Sequence, residues 1–156
     1  MLPEELSSLI GKGGDVRIFD VEKGPIRRFA DAVSDPNPLY YDEEYAKNSR
    51  YGSIIAPPGF FGQPKGGAPS FDTRRELRPA LTKVGYTNPA AVDAGIEYEF
   101  FRPIRVGDTI VATSMITDIT EREGKTGKMA FAITETTYIN QNGDVVAIAR
   151  ATMIQR

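Results

Sequence analysis

The chain has 156 residues, 40% of them hydrophobic, and its 19 Lys and Arg against 21 Asp and Glu leave a net charge of -2. That length suits one domain able to bury about 70% of the surface that its unfolded chain exposes, and the charge balance argues against a dedicated nucleic-acid binder. There is no cysteine and no histidine, which excludes disulfides, thiolate nucleophiles, Cys- or His-ligated metals and a Ser-His-Asp triad.

Acid–base chemistry is thereby left to carboxylates, tyrosines or lysines with shifted pKa values, or to another chain. No metal and no cofactor are expected. The opening MLPEELSSLIGKGGD carries Glu4 and Glu5 and no long apolar run. Neither a signal peptide nor a membrane span is expected, and a cytoplasmic location is the default.

Residues 1–15 read as an N-terminal helix and lead-in, with Leu2, Leu6, Leu9 and Ile10 on one side and Gly11, Gly13 and Gly14 ending it. A short strand follows over Val16–Val21. Gly24-Pro25 then opens a clearer helix, because Ile26, Phe29, Ala30 and Val33 recur at helical spacing. It stops before Asp35-Pro36, since a residue preceding proline is pushed out of the helical region. Asp42 reads as the cap of a second short helix, with Glu43 and Glu44 in its first turn and Gly52 past its end.

Residues 56–93 hold most of the Gly and Pro punctuation and read as an extended surface excursion, helical only over Thr73 to Val84. Residues 94–156 read as strands over Ile96–Phe101, Thr109–Ile119, Met129–Asn140 and Val145–Ile154. Turn chemistry separates them at 103–108, 121–128 and Asn142-Gly143, with Asp118, Glu121 and Glu123 at a solvated strand end. Helical pieces first and an antiparallel meander last give an α+β fold in one domain, 1–156.

The stretch Ser34-Asp35-Pro36-Asn37-Pro38-Leu39-Tyr40-Tyr41-Asp42 resembles the hydratase motif of the MaoC-like family, Gly-Asp-x-Asn-Pro-x-His-x-Asp. IIAPPGF at 54–60 and FRPIRVGDT at 101–109 resemble the same family, in particular its branch of fatty-acid-synthase-like dehydratases. The resemblance implies a hot-dog fold, a long antiparallel sheet wrapped around a central helix. It also implies addition or removal of water across the double bond of an enoyl thioester on coenzyme A or acyl carrier protein. Dimers or fused double domains are implied as well.

In that family the motif's Asp and His hold one water as base and acid. Here Asp35, Asn37 and Asp42 are kept, the histidine position is Tyr40, and the leading glycine is Ser34. Asp35, Asn37 and Tyr40 are therefore the candidate site residues. The resemblance places Ala56, Pro57, Pro58, Gly59 and Phe60 at the substrate pocket. A family backbone N–H that polarises the thioester carbonyl would come from this stretch, from Gly59 if Pro58 takes the slot. Arg74, Arg75, Arg78 and Lys83 are candidates for coenzyme A phosphates.

Read without the resemblance, Asp35-Pro36-Asn37-Pro38 is a good turn in any protein. The Gly- and Pro-rich stretch lies where the family has its central helix, so that helix is expected to be short or broken. Three functional readings follow. The chain is a non-catalytic subunit that shapes the acyl pocket of a histidine-bearing hot-dog partner; or a self-sufficient hydratase using Asp35 with Tyr40 or Tyr41; or a module that binds an acyl thioester without turnover. A hot-dog thioesterase is disfavoured by the hydratase-type motif. Association, as a homo-oligomer or a heteromer with a second hot-dog chain, is expected under all of them, because an open sheet leaves an edge to cover.

Overall fold

A computed structural model describes residues 2–14, 16–65, 73–88, 91–124 and 127–156, with the backbone alone for 73–76. Its strands are β1 Arg17–Asp20, β2 Gln63–Pro64, β3 Ala91–Phe100, β4 Thr109–Gly124, β5 Gly127–Ile139 and β6 Val145–Gln155. They form one sheet in the order β2-β1-β4-β5-β6-β3, antiparallel at every junction. The expected meander is β4-β5-β6, and its second turn carries Gly143 at φ +84°, a conformation that favours glycine.

The strands are longer than the sequence suggests. Residues 121–128, expected as a turn, are mostly ladder, with Arg122 opposite Met129 and Glu123 opposite Lys128. The opposite charges of the second pair support the extension. Likewise β3 begins at Ala91, inside the segment read as an excursion, because it pairs with β6 from Ala91↔Gln155 onward.

The helices are α1 Glu4–Ser7, α2 Lys23–Ala32, α3 Glu43–Asn48 and α4 Thr73–Lys83, with a 3-10 turn at Pro38–Tyr40. Pro25 lies in the first turn of α2, where its missing N–H has no intrahelical acceptor to lose. Ile26 and Ala30 are fully buried. Val33 departs from expectation: it is the C-cap and is 56% exposed, because the helix has already ended.

The ending is not the work of Pro36 alone. Asp35 N–H donates to Ala30 O at 2.9 Å and Ser34 N–H to Asp31 O at 3.1 Å, while Ser34 sits at φ +56°. This is the Schellman arrangement, whose left-handed position is usually glycine. The motif's leading glycine thus has a backbone reason, and Ser34 occupies its slot under strain.

One core gathers Ile26, Ala30, Tyr40, Ile54, Phe60, Phe61, Ile110 and Ala147. The other gathers Leu6, Leu9, Leu77, Leu81, Tyr86, Ile116 and Ile119. The second corrects the surface-excursion reading of 56–93. Leu77 and Leu81 of α4 are 1% exposed and pack on Leu6 and Leu9, so α4 completes the core although Pro79 lies inside it. Glu121, expected to be solvated, accepts a 2.6 Å hydrogen bond from the Tyr86 hydroxyl, which raises the tyrosine pKa through burial first and this bond second.

Ile110 and Ile119 of β4 lie on the same face of the sheet, and so do Tyr138 and Ala132 of β5. Between the two cores the strand register sets Ser114, Thr136, Ala149 and Tyr98 in one row, and Ile116, Thr134, Ala151 and Ile96 in the next. Most of these side chains are small, and Ser114 and Thr136 hydroxyls meet at 2.7 Å. Between Ala56 and Lys65 the chain makes a turn and the two-residue strand β2, not a helix. None of the described helices is long and apolar enough to cross a membrane.

Candidate functional site

The motif loop runs from the end of α2 to the start of α3, and its polar side chains hold backbone. Asp35 Oδ1 accepts from Asn37 N–H at 3.1 Å, Asn37 Oδ1 from Leu39 N–H at 3.1 Å, and Asp42 Oδ1 from Tyr45 N–H at 2.9 Å. Each carboxylate or amide caps a donor two or three residues on, which is the local chemistry favoured by Asp and Asn. Tyr41 ties the loop to α2: its hydroxyl lies 2.8 Å from Asp31 Oδ1 and 3.1 Å from Asp35 O.

Tyr40, in the histidine position, is only 5% exposed. Burial raises its pKa, with the charge of Asp35 and the neighbouring Tyr51 adding to the shift. It is therefore a neutral hydroxyl at physiological pH, able to donate a hydrogen bond but still poorer as a base than an ordinary tyrosine.

Asn37 and Tyr40 line a cleft of about 440 Å³ together with Ala56, Pro57 and Pro58. The fold thus brings two candidates from the motif against three from the second stretch. The cleft is completed by residues that the sequence reading passed over, among them Arg50, Tyr51, Phe101, Arg102 and Ile104. The quoted 101–109 stretch contains three of these, yet its spacing alone gives no sign of an inward role. Arg50 and Tyr51 belong to no motif at all.

The remaining candidates lie elsewhere. Phe60 is buried against Phe29, with ring centroids 5.3 Å apart. Pro57-Pro58-Gly59-Phe60 is a turn closed by Phe60 N–H to Pro57 O at 3.0 Å, with Gly59 at φ +89°. Proline second and glycine third is the type II pattern. The Ala56 N–H donates to Ile104 O at 2.8 Å, so within 56–60 only Gly59 keeps an N–H free of a bond among the described residues. Arg78 and Lys83 are exposed on α4 and neither lines the cleft; the side chains of Arg74 and Arg75 lie outside the described residues. Among the described residues no group of three or more His, Cys, Asp or Glu side chains is placed to hold a metal.

The family model for the FAS1-like dehydratase domain region matches residues 8–149. A UPF0336 protein of Thermobifida fusca is 36% identical over 107 residues, 68% of this chain and 66% of the relative. A protein of Thermomonospora curvata named a probable enoyl-CoA hydratase alpha subunit is 31% identical over 134 residues, 80% of this chain and 41% of the relative. The chain therefore spans less than two thirds of the length of either.

Among solved structures, a chain of the ChsH1-ChsH2 complex from Mycobacterium tuberculosis superposes with a TM-score of 0.80 at 18% identity, covering 97% of this chain and 94% of that one. A MaoC-like dehydratase from Rhodospirillum rubrum gives 0.62 at 24% identity, covering 96% and 94%. The fold is the α+β hot-dog. The chain belongs to the FAS1-like dehydratase domain region family, and it shares its fold with the MaoC-like dehydratase.

Proposed function

We propose that this chain is the non-catalytic subunit of a two-chain enoyl-thioester hydratase or dehydratase, and that it shapes the acyl pocket of a hot-dog partner that carries the histidine. The observation that carries the reading is the motif itself. Asp35, Asn37 and Asp42 are kept while the histidine position is Tyr40, in a chain with no histidine anywhere. The three kept residues are accounted for by local caps, so their presence does not require catalysis. A neutral, buried tyrosine is no substitute for imidazole as a base near pH 7.

The outer strand β3 supports the partner. It is the edge of the sheet and leaves Val92, Ile96, Phe100 and the adjoining Phe101 45–54% exposed. An apolar open edge of this length is a template for another strand. The relative named as an alpha subunit and the structural neighbour from a two-protein complex fit the same reading. The acyl group would arrive as a thioester of coenzyme A or acyl carrier protein.

The test is hydration of a panel of trans-2-enoyl-CoA thioesters by the pure chain. No product is expected from the chain alone, and Asp35→Asn should change nothing. Hydration that Asp35→Asn abolishes would replace this reading with a self-sufficient enzyme.

A further inference from the structure

Among the described residues the sheet has two edges, and only one of them is blunted. On one side β2 is two residues long and contains Pro64, which offers a neighbouring strand little backbone to pair with. On the other side β3 runs for ten residues, and beyond its irregularity at Asp93/Gly95 it is regular to Phe100. Neither shortness nor proline guards this edge.

The two faces of β3 differ in chemistry. Ile96, Tyr98 and Phe100 stand opposite Ala151, Ala149 and Ala147, on the side where the Phe61 ring meets those of Tyr98 and Phe100 at 5.8 and 6.4 Å. Glu97 and Glu99 stand on the other side, opposite Arg150 and Ile148. Arg150 is already shared: its Nε donates to Glu135 at 2.9 Å and its Nη1 to Glu99 at 3.4 Å. Glu97 is exposed and has no ion pair among the described residues. Three carboxylates against one guanidinium leave this face of the edge acidic.

That acidity decides which strand can be added. In a two-fold antiparallel pairing of β3 with the β3 of a second copy, centring on Glu97, Tyr98 or Glu99 sets a glutamate directly opposite a glutamate. Like charges so placed destabilise a ladder, and opposite charges support it. A strand with cations on this face and apolar side chains on the other meets both requirements.

We infer that β3 receives an edge strand of the partner hot-dog chain whose side chains opposite Glu97 and Glu99 are lysine or arginine, and that the same glutamates keep β3 from pairing with its own copy. The inference rests on the two-chain reading above and names what selects the partner. Attraction to the right strand and repulsion of the wrong one come from one pair of residues.

The test has two arms, both on the full chain. In the complex purified from the source, Glu97→Lys combined with Glu99→Lys should weaken binding of the partner about tenfold or more. The corresponding double change to Gln should weaken it less and reduce its salt dependence. Both positions are exposed, so the melting temperature of the isolated chain should stay level. In the second arm, sedimentation velocity compares wild type, the double Lys variant and their equimolar mixture. Each alone should remain monomeric where the mixture forms a one-to-one dimer that added salt weakens. Glu97→Lys alone, which sets a cation opposite Glu99 of the second copy in the Tyr98-centred register, should dimerise with itself.

A partner that holds the double Lys variant as tightly as wild type would overturn the inference while the two-chain reading stands. A mixture that stays monomeric would overturn the exclusion of the chain's own copy by charge. A chain that travels alone from its source would end the two-chain reading, and the inference with it.

Discussion

The Tyr41 hydroxyl donates to Asp31 Oδ1 at 2.8 Å, while Tyr40, one residue earlier, turns into the cleft. Adjacent tyrosines thus have separate duties. Tyr41 anchors the motif loop to α2, and Arg27 reinforces the anchor by donating to Tyr41 O at 2.8 Å. Tyr41→Phe should therefore lower the melting temperature slightly, by much less than a core truncation, and thermal melts beside wild type measure it.

Ser34 gives a prediction of opposite sign. A non-glycine residue in the left-handed region costs roughly 1–2 kcal/mol, partly offset by the entropy glycine loses on folding. Ser34→Gly should stabilise the chain by about 0.5–1 kcal/mol, seen as a higher urea midpoint with an unchanged slope. No gain would mean that the serine hydroxyl contributes something beyond its backbone conformation.

The burial of α4 is tested by truncation. Leu77→Ala or Leu81→Ala should each cost about 2–5 kcal/mol, because both side chains are 1% exposed against Leu6 and Leu9. A loss below about 0.5 kcal/mol, the range of surface substitutions, would return the segment to a surface excursion.

Stability should fall in alkali. Burial, chiefly, pushes the Tyr138 hydroxyl up to about 12, with Tyr98 adding to the shift and Arg17 opposing it. A raised tyrosine pKa favours the neutral form in the fold. Below the ordinary value of about 10 both states keep the proton and no pH dependence arises. Between that value and about 12 the unfolded chain loses the proton first, so stability drops as pH rises. Tyr138→Phe should flatten the fall in urea midpoint across that window, leaving the share of Tyr86, whose pKa is raised as well.

Much of this was legible in the sequence because its causes are local. Asp42 caps α3 as its spacing suggests, and the alternating Val, Ile and Thr runs become β4, β5 and β6. What escaped the sequence depends on distant partners. Leu77 and Leu81 look like two apolar residues in a polar, proline-bearing stretch until Leu6 and Leu9 arrive from the other end of the chain. The same holds for Arg50 and Tyr51, which reach the site only because Ile55 pairs with Arg105 and brings 101–104 against them. The motif was legible as a motif; that its Asp and Asn serve as caps required the hydrogen bonds.

The most direct test of the central claim is native purification of the untagged protein from its source, with mass spectrometry of whatever accompanies it. A second hot-dog chain bearing an intact Asp-x-Asn-Pro-x-His motif, in equal amount and with hydratase activity in the joint fraction, is the predicted result. A homo-oligomer of this chain alone would contradict it.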